Sequence, residues 1–185
     1  IMRLFISREA LDPHLRRAGS VLNPRAPLGD KIGDGLKAGL HYAGWYLKQW
    51  NPVPRPFHVH RKLATHLRFI DWNSKKLARS LFHAMGRHQA ALERKQALLG
   101  RFVEVGSELF AMAAAVARAD TLHGLDPEKH PGIIDLADIF CRHSRRRVKN
   151  IFRDISSNDD VATYKFAQRV VEGEYEWLEE GAVDF

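Results

Sequence analysis

His58 and His60 flank Val59, and His66 follows six residues after His60. Two histidines at i and i+2 can share a metal ion when they lie on one face of a strand. Here they border a proline-rich stretch, and no third ligand follows at helical spacing. Glu104 and Glu108 stand one helical turn apart and could act as paired carboxylates. With Arg101 beside Glu104, the spacing suits the rim of an amphipathic helix better. Cys141 and His143 have the right identities for a thiol nucleophile and its base, yet at i and i+2 on a helix their side chains diverge. Burial as a small hydrophobe is the better account of Cys141. Glu-x-x-His, which supplies di-iron ligands in helical bundles, does not occur. Nor does a glycine-rich phosphate loop, Gly-x-Ser-x-Gly or Cys-x-x-Cys. No residue is therefore assigned a catalytic, cofactor-binding or metal-binding role.

Two surfaces carry more signal than any of these clusters. Arg142, Arg145, Arg146 and Lys149 fall at i, i+3, i+4 and i+7, one helical face, downstream of Asp135 and Asp138. Such a face is either solvated or a dock for an acidic partner surface or phosphates. Upstream, Leu28, Ile32, Leu36, Leu40, Ala43, Leu47 and Trp50 step by threes and fours over residues 28–50, with Lys31, Lys37, Lys48, Trp45 and Tyr46 among them. Tryptophan and tyrosine favour the lipid headgroup layer, where a basic amphipathic helix can lie with its apolar face buried. The expected membrane-contact residues are Leu28, Ile32, Leu36, Leu40, Trp45, Tyr46, Leu47 and Trp50. The other outcome is that the stripe packs against protein.

The elements that must position these residues are helical. A chain of 185 residues with 45% apolar and 28% charged residues can bury a core without covalent staples. Its single cysteine cannot close an internal disulfide, so nothing points to secretion. No apolar run approaches the roughly 20 residues needed to cross a bilayer, the longest being Leu109 to Ala117. The N-terminus lacks a signal-peptide pattern, because Arg3 and Arg8 interrupt its apolar residues. The net charge of +7 invites an acidic partner, although its spread along the chain weakens a nucleic-acid reading.

Periodicity predicts a helix over 3–18, disturbed by Pro13, then a linker at Asn23 to Pro27. A glycine-containing helix follows over 28–50, and a second linker at Asn51 to Phe57 holds three prolines. The next helix runs from His58 to Gly86 with a break expected around Asp71 to Ser74, where Ser74 would cap the second section. Another runs from Gln89 to Thr121, its glycines and alanines suited to close helix approach. Pro131 is placed to open a helix reaching Ser156. Asn158 or Asp159 caps a shorter one that ends at Gly173. The expected class is all-α, an antiparallel helical bundle with long central helices. Its expected divisions are 1–19, 20–57 and 58–185.

Four stretches carry a family resemblance. Ile1-Met2-Arg3-Leu4-Phe5-Ile6-Ser7-Arg8-Glu9-Ala10-Leu11 resembles the closing helix of the acyl-CoA dehydrogenase catalytic domain. Leu92-Glu93-Arg94-Lys95-Gln96-Ala97-Leu98-Leu99-Gly100-Arg101 and Gly106-Ser107-Glu108-Leu109-Phe110-Ala111-Met112 are similar to the additional C-terminal domain of the very-long-chain type. Leu136-Ala137-Asp138-Ile139-Phe140-Cys141, through Arg145-Arg146-Arg147, resembles the bacterial version of that domain. The resemblance implies an FAD enzyme that desaturates a fatty acyl-CoA between its α and β carbons, using a glutamate base. It places that glutamate, its Glu-Gly-Thr motif and the main flavin contacts before Ile1, so that this chain would be inactive alone.

The partners it implies are the upstream catalytic domain, a second copy in a homodimer, acyl-CoA in the full-length enzyme, and a membrane surface. No nucleic acid is expected. A bacterial source would place the protein in the cytoplasm, at the inner face of the membrane, and a eukaryotic source in the mitochondrion. The rival reading is a free-standing basic helical adaptor for nucleic acid or an acidic protein. It would gain support if Met2 were the true start.

Overall fold

The computed structural model describes Glu9 and residues 28–50 and 57–181, and every regular element among them is helical. These are α1 (Leu28–Trp50), α2 (Arg61–His88), α3 (Gln96–Leu125), α4 (Ile133–Ser156) and α5 (Asp160–Val171). Short 3-10 turns occupy Gln89–Arg94 and Glu176–Leu178. The all-α class and the bundle expected from periodicity are what the chain adopts. The helix expected over 3–18 and the linker at Asn23 to Pro27 fall outside the described residues, as does the second linker up to residue 56.

Burial at helical spacing explains α3 and α4. In α3, Leu98, Phe102, Val105, Leu109, Met112, Val116 and Ala119 are buried at steps of three and four. In α4, Ile134, Ala137, Cys141, Ser144, Val148 and Phe152 do the same. Each helix thereby removes one continuous stripe from water, which gives more stability than intrinsic helix propensity does.

The partners along these stripes set the direction of each helix. Leu63 of α2 clusters with Met112 and Val116 of α3, while Ala84 clusters with Leu98 and Leu99. The two helices are therefore antiparallel. Met112 meets Cys141, and Val105 and Leu109 meet Val148 and Phe152, so α3 and α4 are antiparallel too. Helix α1 lies antiparallel along the C-terminal half of α2, with Tyr42 and Tyr46 against Phe82. Helix α5 buries no residue.

Several boundaries differ from the sequence expectation. Helix α2 is continuous through Asp71 to Ser74, and Ser74 is an exposed interior residue, not a cap. Asn73 is tolerated there because its side-chain amide donates to the Phe69 carbonyl four residues back, at 2.8 Å. Lys75 pairs with Asp71 at 2.8 Å across the same turn. The expected helix from Gln89 begins only at Gln96. Gln89 has φ +47°, the one positive φ outside glycine among the described residues, and it turns the chain into the 3-10 segment. That turn buries Leu92 against Leu98 and Leu99. Pro131 does not open α4. Gly132 follows it in the left-handed region at φ +75°, a conformation that favours glycine, and Ile133 is the first helical residue.

The glycines of α3 are not demanded by packing. A Cβ at Gly106 would meet Leu77 at an ordinary 3.8 Å, and one at Gly100 would meet nothing within 4 Å. Gly100→Ala should therefore raise the unfolding free energy by about 0.5–1 kcal/mol, since glycine inside a helix costs that much relative to alanine. Met112→Ala should lower it by about 2–5 kcal/mol, because Met112 is fully buried where three helices meet. Urea denaturation with an unchanged m-value checks both signs.

Candidate interaction surfaces

The stripe over residues 28–50 divides in the folded chain. Tyr42, Trp45 and Tyr46 turn toward α2, with ring centroids 5.1, 5.6 and 6.0 Å from Phe82. The Tyr46 hydroxyl lies 3.0 Å from Nε2 of His83. Trp45 and Tyr46, expected at a membrane, are thus half-buried against protein, because their large ring faces find partners on α2. Leu40 and Leu47 lie on the opposite face and are 71% and 70% exposed. Trp50 is half exposed, its other side covered by the Arg79 guanidinium 4.0 Å from the ring centroid. Leu28, Ile32 and Leu36 sit on α1, but their side chains lie outside the described residues. A Cβ at Gly39 or Gly44 would meet nothing within 4 Å, so close packing does not account for these two glycines.

Arg79 is the link that periodicity missed. It is buried between Trp50 and Trp72 and donates to the Gln49 carbonyl, which ties the end of α1 to α2. A flat guanidinium can stack on indole faces and still donate at its edge.

The basic face of α4 is also divided. Arg142 bonds Asp138 at 2.9 Å, and Arg145 lies 4.7 Å over the Phe69 ring. Arg146 and Lys149 are exposed. Arg147, off the expected face, forms a two-pronged pair with Glu108 at 2.7 and 2.9 Å and also reaches Ser144. The Arg147 guanidinium holds the Glu108 carboxyl below the usual range. The pairing of Glu104 with Glu108 has no support in this arrangement. Arg101 makes its own two-pronged pair with Asp160, at 2.6 and 2.7 Å, which anchors the start of α5.

The histidines are structural where their partners are seen. His66 is buried in α2 with Nε2 2.8 Å from Asp138 Oδ1, while its Nδ1 has no partner. A carboxylate can only accept, so Nε2 donates in this bond. The His66 hydrogen bond, joined by that of Arg142, holds the Asp138 carboxyl below the usual range against the opposing effect of burial. His60 caps α2, its Nδ1 accepting from the Lys62 amide at 3.3 Å. His58 is exposed. Among the described residues, no group of three or more His, Cys, Asp or Glu could hold a metal ion.

Cys141 is buried, burial pushes its thiol up to about 11, and its neighbour in sequence, His143, is exposed. A cleft of about 260 Å³ opens beside His60, His123, His130 and Gly132. Pro127, Pro131, Ile133 and Ile134 line it as well. No helix among the described residues is long and apolar enough to cross a membrane.

Comparison with known proteins gives the chain its relatives. Over 187 aligned residues covering 100% of the chain, it is 43% identical to probable acyl-CoA dehydrogenase FadE10 of Mycobacterium bovis. The same identity and coverage hold for FadE10 of two Mycobacterium tuberculosis strains. The chain is a relative of these acyl-CoA dehydrogenases. It spans 29% of the length of the FadE10 proteins. No protein-family model matches it, and no solved structure does. The acyl-CoA dehydrogenase resemblance read from the four stretches is shown by this similarity, and the free-standing basic adaptor is not favoured.

For this acyl-CoA dehydrogenase relative, the buried His66–Asp138 pair makes an acid-sensitive joint between α2 and α4. The Asp138 pKa is depressed in the folded state. Its contribution is therefore present above the unfolded value of about 3.9 and is lost as pH falls through the folded value. Asp138→Asn should reduce stability near pH 7 by about 2 kcal/mol, the scale of a hydrogen bond to a charged group. It should also shrink the loss of stability below about pH 4, since Asn has no proton to gain there. Urea titrations at pH 3 and pH 7 check both. Cys141 should resist a thiol reagent at pH 8 until the chain is unfolded.

Proposed function

We propose that this chain is the C-terminal accessory domain of an FAD-dependent acyl-CoA dehydrogenase of fatty acid β-oxidation, with no catalytic centre of its own. The carrying observation is the end-to-end match to proteins that are more than three times as long and that bear the acyl-CoA dehydrogenase name. In this reading the glutamate base, the flavin and the acyl-CoA site belong to the part of such a protein that the chain does not match. The helical bundle supports that part and the packing of two subunits. The bacterial relatives favour a cytoplasmic enzyme.

The basic adaptor would need a preformed acidic-ligand face, and half of the expected one is committed internally through Arg142 and Arg145. An antibody against the chain, used on denatured extracts of its source cells, separates the readings. The accessory-domain reading expects a band at several times the 21.1 kDa of the chain, in a protein that carries FAD. A single band at 21.1 kDa would overturn it.

The exposed face of α1 supports a contact with a membrane surface. Leu40, Leu47 and Trp50 are available for it, whereas Trp45 and Tyr46 are committed to α2. Replacing Leu40 and Leu47 together with serine should cut co-sedimentation with anionic liposomes several-fold, because both leucines lose the apolar surface that they would bury in the headgroup layer. Equal recovery of variant and wild type in the pellet would sink the idea.

A further inference from the structure

Three helix ends meet at a joint built from histidines. His60 caps the start of α2, His123 lies in the last turn of α3, and His130 stands in the turn that leads into α4. All three line the cleft of about 260 Å³, with Lys62 and Asp135 on its walls. The rings of His60 and His123 meet edge to face, their centroids 5.7 Å apart. His60 also ties α2 to α3, because its backbone amide donates to Asp120 at 3.1 Å. Its carbonyl accepts from the amides of Leu63 and Ala64, so the first turn of α2 winds from this residue.

A proton can undo this cap. Nδ1 of His60 accepts from the Lys62 amide at 3.3 Å. A neutral imidazole accepts only through the nitrogen that carries no hydrogen, so this is the atom that gains one in acid. Once protonated it has no lone pair for the amide. It also sets a positive charge at a helix N-terminus, where the backbone dipole is already positive. The surroundings add cations and few free carboxylates. On α2, Arg61 and Lys62 follow, and the first turn holds no acidic residue. On α3, Asp120 is engaged by the His60 amide, and His123 brings a second imidazole. On α4, Asp135 is paired with Lys62. In the turn, Asp126 accepts from the amides of Glu128 and Lys129, and His130 brings a third imidazole. Histidine is the side chain that changes charge between about pH 5 and 8, so in that range positive charge enters a cleft whose carboxylates are already in use.

We propose that His60, His123 and His130 form an acid-responsive catch on the start of α2. The cap holds the first turn against α3 and α4 while Nδ1 of His60 is free to accept. Its contribution is lost as pH falls through the histidine range, where the imidazoliums also repel one another. The Asp138 joint between α2 and α4 responds below about pH 4, so the two events are separated by pH. Leu63, completely buried, lies in the turn that opens, which carries the change into the cluster of Met112 and Cys141. Every group in the catch belongs to this chain, and none of its contacts requires a free outer surface or the dehydrogenase reading.

Backbone amide hydrogen exchange on the 185-residue chain, read residue by residue by NMR as protection relative to an unstructured chain, tests the catch. Between about pH 7.5 and about pH 5.5, protection of the Lys62, Leu63 and Ala64 amides should fall about tenfold, as when opening takes up one proton. Protection of Val105 and Val148, inside α3 and α4, should hold over the same range. His60→Asn keeps a capping oxygen but has no proton to gain, so its first turn should stay equally protected at both pH values. His123→Gln leaves the cap and removes one neighbouring charge, and should shrink the fall without abolishing it. Helical circular dichroism confirms the fold of each variant. Level protection of the first turn in the wild type overturns the proposal. So does a fall that neither substitution diminishes.

Discussion

Helix α3 is the member against which everything else is placed. Val105 and Met112 are completely buried in it, one facing the α4 residues Val148 and Phe152, the other joining Leu63 of α2 and Cys141 of α4. A helix with neighbours on two sides must give up a wide stripe of its surface to apolar residues. This one does so over eight buried positions from Leu98 to Ala119. Because its contacts are ordered along its length, the direction and register of α2 and α4 follow from those of α3. The 3-10 turn at Gln89–Arg94 exists to serve it, carrying Leu92 into the cluster with Leu98 and Leu99.

Apolar packing alone would leave the three helices free to slide by a turn. The polar joints remove that freedom. Arg147 grips Glu108 with two hydrogen bonds between α4 and α3, and His66 donates to Asp138 between α2 and α4. The His66–Asp138 pair is buried, and a buried polar group without a partner costs about 1–3 kcal/mol, so a slipped register carries a penalty that apolar contacts do not impose. Arg101 with Asp160 does the same for the start of α5, and Arg79 between Trp50 and Trp72 for the end of α1.

This division between apolar stripe and polar joint explains what could be read from the residues alone. The positions of α3 and α4 show in the sequence because burial at steps of three and four is a local, one-dimensional signal. The stop near His88 shows too, but the 3-10 segment of Gln89–Arg94 does not, since Gln89 takes a backbone conformation that its side chain gives no reason to expect. Ser74 and Asn73 look like helix breakers until the Phe69 carbonyl is seen to accept from Asn73. The basic run of α4 was legible as charge, but which arginines are spent internally depends on Asp138, Phe69 and Glu108 arriving from a turn away or from other helices. The aromatic residues of α1 show the same limit. Amphipathicity identified an apolar helix, but not that Tyr42, Trp45 and Tyr46 would be claimed by Phe82 while Leu40 and Leu47 stayed in water.

The bundle commits His60, His66 and His83, its cysteine and the ion pairs of Arg101, Arg142 and Arg147 to its own joints. Cys141 is the sharpest case: beneath α3, with its thiol pushed up to about 11, it stays protonated at any physiological pH and serves as packing. What the fold leaves exposed is of another kind. The outer sides of α1 and α4, and nearly all of α5, present leucine, isoleucine, phenylalanine and tryptophan to solvent beside clustered charge. Apolar side chains arranged in that way are stable in water only at a cost that contact with another surface recovers. Among the described residues, the apolar and charged side chains that the bundle does not claim for itself therefore lie on its outside.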